Sequence, residues 1–179
     1  MWRAGLAGLC LVLALVGAAA AGQIYNPTNA CVILPGGVIT TAVGNIGGGE
    51  DTLMTYPLPA GALGADGAFV RITAWGTAAA TGNTKTRTLY FGGTTLQTFA
   101  GASNNLAWRF RAEVTRTGAA TQEAWGQFWQ ETDGTDYMTR SAPTETLSGA
   151  VTIRVTGTSG SSATDDIVQR MMIVEICNR

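Results

Sequence analysis

The sequence contains no histidine. This absence excludes Ser-His-Asp and Cys-His nucleophilic sites and the zinc sites that use imidazole, because each depends on a ring that titrates near neutrality or ligates the metal. Charge is scarce as well, since 13% of the residues are charged and the formal net charge is −1. A surface that binds nucleic acid needs a clustered basic excess. We therefore predict a protein that is not an enzyme and has no cofactor, no metal site and no nucleic-acid partner.

Paired carboxylates are the catalytic groups that remain. Glu123 with Glu131, and Asp133 with Asp136, are formal candidates for glycoside cleavage, which needs two carboxyl groups about 5 to 9 Å apart across a cleft. The acidic segment at residues 133–136 also offers oxygen ligands of the kind that calcium takes, but it lacks EF-hand spacing. Asp and Gly are favoured in turns for backbone reasons alone. We therefore interpret this segment as a turn.

An apolar run follows the basic start of the chain. After Arg3, residues 4–22 are uncharged, with a Leu- and Val-rich centre and an Ala- and Gly-rich end. A positive start, a short apolar stretch and small residues at its end are the parts of a secretory signal peptide. As a helix of about 1.5 Å per residue, the stretch can also just cross a hydrocarbon core of about 30 Å. Residues 1–22 are predicted to be a hydrophobic helix that serves as a signal peptide or a membrane anchor.

Cysteine is rare, with three residues in the chain. Cys10 lies inside the apolar run, and we interpret it as a bystander. Cys31 and Cys177 remain near opposite ends of the mature chain. Export to an oxidising compartment together with an even cysteine count favours a disulfide between them. The alternative is a pair of buried free thiols.

The remaining sequence alternates between apolar and polar residues at a two-residue period. In residues 107–116, Trp108 and Phe110 lie on one side of the alternation, and Arg109 and Arg111 lie on the other. Such alternation is typical of half-buried β-strands, and it recurs between Gly- and Thr-rich turns. Residues 23–179 are therefore predicted to form one antiparallel sandwich or barrel without a helix. The last strand is apolar on both faces, which predicts a central position in its sheet.

Four large aromatic residues are candidates for contact with a ligand or a partner: Trp75, Trp125, Trp129 and Tyr137. Their amphipathic rings can stack on the apolar faces of a sugar. Aromatic residues that alternate along strands are more often buried in a core or a subunit interface. We favour the second interpretation.

Charged residues are unevenly distributed along the chain. Residues 71–116 contain six cationic side chains and one acidic side chain, whereas residues 117–166 contain seven acidic and two cationic side chains. Opposite blocks can pair within one molecule or across a subunit contact. We expect pairing within the molecule, with oligomer contacts as the alternative.

Several segments at turns and strand ends carry a family resemblance. They are residues 56–63, 70–77, 83–86, 89–93 and 116–122, with the sequences YPLPAGAL, VRITAWGT, NTKT, LYFGG and RTGAATQ. In order and spacing, over about residues 50 to 160, they resemble a family of jelly-roll domains found in tailed-phage virion proteins such as tail fibres, spikes and head decorations. The resemblance implies an antiparallel, jelly-roll-like β-sandwich of about eight strands. It identifies a scaffold, and no catalytic residue carries over.

The resemblance also implies a role. We expect a structural or adhesive protein of a virion or virion-like assembly, which acts by subunit packing and receptor contact. Its expected partners are further copies of itself, with a trimer favoured, other virion proteins and a cell-surface glycan. The alternative is a secreted carbohydrate-binding module that uses surface Trp residues. The location is accordingly the virion, or the extracellular space or cell surface if the leader is cleaved.

The leader departs from the family pattern, because the parts of tailed-phage virions assemble in the host cytoplasm. Three explanations remain open: an exported bacterial relative, a membrane-anchored virion protein, or an apolar tail that is buried in an assembly.

Overall fold

A computed structural model describes residues 31–102, 106–131 and 136–177 of the chain. These residues form eleven strands: Cys31–Ile39 (β1), Val43–Gly44 (β2), Glu50–Leu58 (β3), Phe69–Ala78 (β4), Thr84–Phe91 (β5), Thr94–Ala102 (β6), Ala107–Gly118 (β7), Thr121–Gln130 (β8), Tyr137–Ser141 (β9), Val151–Ser159 (β10) and Ile167–Cys177 (β11). Within these ranges we find no helix with the length and apolar character needed to span a membrane. The predicted leader helix at residues 1–22 lies outside the described residues.

The strands form two antiparallel sheets that pack as a sandwich. The larger sheet has the order β1-β11-β4-β7-β8-β9, with β2 also paired to β11, and the smaller sheet has the order β3-β10-β5-β6. The chain repeatedly crosses between the sheets, since β3, β5 and β10 belong to the smaller sheet while β4, β7 and β11 belong to the larger one. The predicted all-β antiparallel sandwich is confirmed. Strand β11 lies between β1 and β4, as expected for a central strand.

The expected count of about eight strands is too low. The short strand β2 adds to the count, whereas the Pro-Gly-Gly sequence at residues 35–37 does not separate two strands, because β1 continues through it with a register shift between Ile33 and Val38. Strand β9 adds a further strand at the edge of the larger sheet. Its side chains are mostly exposed and do not alternate in burial, so the two-residue pattern that marks the other strands is missing here. As an edge strand, β9 pairs with β8 alone.

One hydrophobic core lies between the two sheets. Its larger-sheet side includes Val70, Ile72 and Phe110, and its smaller-sheet side includes Leu89 and Ile153, all of them fully buried. These residues occupy alternate positions on their strands, so the other side chains of the larger sheet point away from the core. That opposite surface, which we call the outer face, carries most of the residues predicted to make contacts.

Candidate functional site

The outer face of the larger sheet is built from the alternate side chains of neighbouring strands. Strands β4, β7 and β8 each alternate between buried residues and half-buried or exposed ones. Three side chains predicted as contact residues, Trp75, Trp125 and Trp129, are half-buried on this face. The structure therefore brings these three rings together on one surface, outside the core.

A cross-strand row joins two of these rings to a cation. In the register of β4, β7 and β8, Arg109 lies opposite Trp75 on one side and Trp129 on the other. The Arg109 Cζ atom is 5.7 Å from the centroid of the Trp129 ring. Among the described residues, no carboxylate oxygen lies within 4 Å of a side-chain nitrogen of Arg109. This exposed guanidinium group therefore lies beside the Trp129 ring, in a row that also contains Trp75, and has no ion-pair partner in that part of the chain.

A second row contains a carboxylate that several groups share. Glu113 lies opposite Arg71 on β4 and Trp125 on β8. Its Oε1 atom is 2.9 Å from Arg71 Nε, and its Oε2 atom accepts a hydrogen bond from Trp125 Nε1 at 3.3 Å. The Arg111 Nη2 atom is 3.8 Å from Glu113 Oε1, and Arg111 Cζ is 5.9 Å from the Trp125 ring centroid. One carboxylate thus faces two guanidinium groups and fixes one indole.

We call the five side chains Trp75, Arg109, Arg111, Trp125 and Trp129 the Trp–Arg cluster. Aromatic residues and arginine are the residue types that dominate binding energy at protein contacts, because they bury large areas and donate directed hydrogen bonds. The same types also recognise sugars, since an indole stacks on a pyranose and arginine binds oxygen acceptors.

The other side of the outer face carries four apolar residues, with Glu175 opposite Ile33. We call these four residues the apolar cluster: Ile33 and Val38 of β1, and Met171 and Ile173 of β11. Ile33 is 48% exposed and Val38 is 45% exposed. Val38 lies opposite Ile173, which lies opposite Thr73 on β4, so this cluster and the Trp–Arg cluster belong to one continuous surface. Exposed apolar side chains that lie together often mark an interaction site.

Tyr137, the fourth predicted aromatic residue, lies on the other side of the sheet. It pairs with the buried residue Phe128 in the β8–β9 register. Its ring centroid is 5.0 Å from that of Phe99 on the smaller sheet. Tyr137 is 40% exposed because it covers the open end of the core between the two sheets. The structure therefore separates it from the three Trp rings.

The Cys31–Cys177 disulfide is present, as the sequence predicted. The two cysteines face each other in the register of β1 and β11, with their Cα atoms 4.1 Å apart. The bridge holds the edge strand β1, and with it Ile33 and Val38 of the apolar cluster, against the centre of the larger sheet.

No ion pair among the described residues joins the cationic block, residues 71–116, to the acidic block, residues 117–166. Arg71 binds Glu113 within the cationic block, and Arg140 binds Glu123 within the acidic block. Arg116 binds Asp66, which precedes both blocks. We expected pairing between the blocks inside the molecule, but the ion pairs of the described ranges do not provide it, and Arg109 is left on the surface.

A polar cluster fills one end of the sandwich, and sequence reasoning did not identify it. Asp166 is buried, and its carboxylate accepts four side-chain hydrogen bonds: from Ser159 Oγ at 2.6 Å, from Asn83 Nδ2 and Thr81 Oγ1 at 2.8 Å, and from Ser161 Oγ at 3.1 Å. Burial alone raises the pKa of Asp166. The four hydrogen bonds outweigh burial and hold its pKa far below the usual value.

Two buried cations of β5 lie at the same end of the core. Lys85 Nζ donates to the Thr81 carbonyl oxygen at 2.6 Å and to Asn83 Oδ1 at 3.2 Å, and burial lowers the pKa of Lys85. Arg87 is fully buried, with Cζ 5.2 Å from the ring centroid of Phe128, and burial lowers its pKa to about 10. The two-residue spacing in the sequence could have indicated their burial, because Lys85 and Arg87 continue the inward positions of Leu89 and Phe91.

The carboxylate pairs considered for catalysis are not brought together in the described part of the chain. Glu123 and Glu131 lie eight positions apart on and just after β8, which corresponds to about 27 Å along an extended strand. Asp136 is described, but Asp133 lies outside the described residues. Among the residues that can be assessed, no group of three or more acidic or cysteine side chains is arranged to hold a metal ion.

No family model and no curated protein matches this chain. Solved structures that are similar to it include the following two. The CBM2 module of the evolved Dit of Lactobacillus casei BL23 phage J-1 is 12% identical, with 70% of this chain and 69% of that chain covered and a TM-score of 0.31. The structure of infectious bursal disease virus Gt strain is 16% identical, with 79% of this chain and 32% of that chain covered and a TM-score of 0.36. Likeness at these TM-scores does not bear on function.

Proposed function

We propose that this chain is a non-enzymatic structural or adhesive protein of a virion or virion-like assembly. It acts through the outer face of its larger sheet, which packs against further copies of the chain and contacts a receptor. The observation that carries the proposal is the composition of this face. Half-buried Trp rings, exposed Arg side chains and an apolar cluster lie side by side on a surface that does not contribute to the core.

The apolar cluster is assigned to subunit packing. In the isolated chain, Ile33 and Val38 expose about half of their surface to water, and burying apolar surface is the main favourable term in protein association. Both residues lie on an edge strand that a disulfide fixes in place. A covalently held edge strand presents these side chains in one arrangement, so a partner meets a preorganised surface.

The strand order supports the jelly-roll part of the proposal. Leaving aside β2 and the appended hairpin β8–β9, four strands in the order β1-β11-β4-β7 face four strands in the order β3-β10-β5-β6. A double sheet of eight strands that switch sheets in this way is a jelly roll, an architecture used in viral capsids and lectins. The disulfide supports a location on a virion or outside the cell, since disulfides persist in oxidising surroundings.

Native mass spectrometry and light scattering of the mature protein test the packing. We expect a homo-oligomer, and we expect Val38→Asp to weaken it at least about tenfold, because the substitution buries a charge in the contact. Ile46→Asp is the matched control, since Ile46 is 76% exposed and lies outside the outer face. A wild-type protein that remains monomeric at high concentration contradicts subunit packing.

A secreted carbohydrate-binding module is the second candidate. The half-buried, outward-facing Trp125 and Trp129 favour it, because a stacking platform needs rings that a sugar can reach. Monomeric wild-type protein that binds a glycan, with binding abolished by Trp125→Ala and folding unchanged, selects this candidate over the virion subunit.

A further inference from the structure

We infer that the Trp–Arg cluster binds an acidic sugar, with Arg109 holding the carboxylate and the flanking Trp rings holding the pyranose. The inference rests on the receptor contact in the proposed function and names the chemistry of its ligand. It assigns the two parts of the outer face to different tasks, with the apolar cluster for subunits and the Trp–Arg cluster for the glycan.

Arg109 lies between Trp75 and Trp129 in the register of the larger sheet. Directly opposed residues on neighbouring strands have Cβ atoms about 4.5 to 5.5 Å apart, so the row Trp75, Arg109, Trp129 spans about one sugar unit on each side of the guanidinium group. A pyranose stacked on Trp129 therefore brings a ring substituent within reach of Arg109. The planar fork of arginine matches the two oxygens of a carboxylate.

The cationic charge of this surface is only partly matched by carboxylates of the described residues. Arg109 has no ion-pair partner among the described residues, and Arg111 shares Glu113 with Arg71. The two guanidinium groups are exposed and lie two positions apart on β7, about 7 Å along the strand. The surface thus offers a cationic strip flanked by rings, and a neutral sugar leaves this charge unused. Rings that displace water beside a cation strengthen its attraction to an anion.

A polar side chain also lies between two of the rings. Gln127 lies on β8 between Trp125 and Trp129, in the row of Arg111, and is half-buried on the same face. Its amide offers both donors and an acceptor, as recognition of a sugar hydroxyl requires. Two apolar ring faces, an amide and two cations together fit a polymer of acidic pyranoses better than they fit an anion without rings.

Three probes separate the parts of this ligand. Oligogalacturonate carries both pyranose rings and carboxylates, its methyl ester keeps the rings without the charge, and polyglutamate keeps the charge without the rings. Calorimetric titration into the wild-type protein, at low salt and at physiological salt, is expected to show the tightest binding to oligogalacturonate. The methyl ester and polyglutamate are each expected to bind at least about tenfold more weakly.

A matched pair of variants tests the assignment to Arg109. Arg109→Gln is expected to weaken oligogalacturonate binding about tenfold or more, because it removes a charge-assisted contact. Arg154→Gln makes the same change in net charge on β10 of the smaller sheet, away from the outer face, and it is expected to change affinity less than about threefold. Circular dichroism and light scattering are expected to show that both variants keep the fold and the oligomeric state of the wild-type protein.

The remaining outcomes overturn the inference in distinguishable ways. Equal binding of the acid and its ester indicates a neutral-sugar platform, equal binding of polyglutamate indicates charge attraction alone, and equal losses in the two variants indicate an effect of net charge. Absence of binding to all three probes by an intact oligomer overturns the inference and leaves subunit packing in place. A monomer that binds oligogalacturonate through Arg109 overturns subunit packing and leaves the inference in place.

Discussion

Trp125 donates its indole hydrogen bond to Glu113 across the β7–β8 pair, at 3.3 Å, and the same carboxylate binds Arg71 at 2.9 Å. A half-buried ring on the outer face is therefore fixed in orientation by a residue that also controls the charge beside it. This relationship links the geometry of the Trp–Arg cluster to its electrostatics, because a change at Glu113 affects both.

Replacing Glu113 with Gln is expected to destabilise the fold by about 1 kcal/mol, since the substitution removes the ion pair with Arg71 while keeping the side-chain shape. It also removes one negative charge from the outer face, so oligogalacturonate is expected to bind more tightly at low salt. Urea unfolding followed by Trp fluorescence measures the first effect, and calorimetry measures the second. Glu123→Gln, which removes the more exposed pair with Arg140, is the control and is expected to change stability by less than about 0.5 kcal/mol. Weaker acid-sugar binding by Glu113→Gln contradicts this electrostatic account.

The Cys31–Cys177 bridge predicts a loss of stability on reduction. It spans a sequence separation of 146 residues, and removing a disulfide from a small exported domain typically costs about 2 to 5 kcal/mol. The Cys31→Ser, Cys177→Ser double variant is expected to unfold at a lower urea concentration, because its free energy of unfolding is expected to be about 2 to 5 kcal/mol lower. Reductant is expected to bring the wild-type protein to the same midpoint and to leave the variant unchanged. Equal stability of the oxidised wild-type protein and the double variant contradicts the prediction.

Alternation in the sequence was sufficient to predict most of the larger sheet. The apolar set Phe110, Ala112 and Val114 is buried, and the intervening polar residues are outside, because a period of two is a direct consequence of the pleat. The disulfide predicted between Cys31 and Cys177 joins the first and last strands, which pair at these residues. These features depend on local geometry and on one covalent bond.

The direction of the large rings on β8 was harder to predict. Hydrophobicity alone places Trp125 and Trp129 inside, yet the inward positions between them are held by Gly126 and Phe128. A Cβ atom on Gly126 meets the Leu96 carbonyl oxygen at 2.5 Å, so the backbone of β6 approaches β8 too closely for a side chain there. That approach between sheets is tertiary, and the local pattern does not contain it. The same holds for β9, whose placement depends on its pairing with β8 and on a hydrogen bond from Thr139 Oγ1 to Gln97 Oε1 at 2.6 Å.

The buried carboxylate of Asp166 predicts a pH dependence of stability. Its pKa in the folded state lies far below the ordinary value of about 4 that applies in the unfolded chain. A lowered folded pKa contributes stability that is present above the unfolded value and is lost as the pH falls through the folded pKa. The stability difference between the wild-type protein and Asp166→Asn is therefore expected to be about 2 kcal/mol or more at neutral pH and to shrink below about pH 4.

Urea unfolding at several pH values checks this dependence. Asp165→Asn is the matched control, because Asp165 is the exposed neighbour and its backbone φ of 59° is one that Asn tolerates. This variant is expected to stay within about 0.5 kcal/mol of the wild-type protein at neutral pH. A stability difference for Asp166→Asn that does not change between neutral and acid pH contradicts a charged, hydrogen-bonded carboxylate in the folded state.

Two Trp residues of the larger sheet predict opposite consequences of truncation. Trp108 is 1% exposed, and its ring occupies the space above Gly76, where a Cβ atom would meet Trp108 Cζ2 at 2.6 Å. Trp108→Ala is therefore expected to cost about 3 to 5 kcal/mol, because it leaves a large cavity. Trp129, on the outer face, is only half-buried, so Trp129→Ala is expected to cost about 1 kcal/mol.

Affinity for the sugar is expected to depend on Trp129 and not on Trp108, the reverse of their effects on stability. At a temperature where the variants remain folded, Trp129→Ala is expected to reduce the affinity for oligogalacturonate about tenfold. Stacking of a flat ligand ring on an exposed aromatic side chain contributes on this scale. Trp108→Phe, which keeps the core filled, is expected to bind like the wild-type protein. If Trp129→Ala instead unfolds the chain as severely as Trp108→Ala, the outer ring holds the sheet together and is not available as a contact residue.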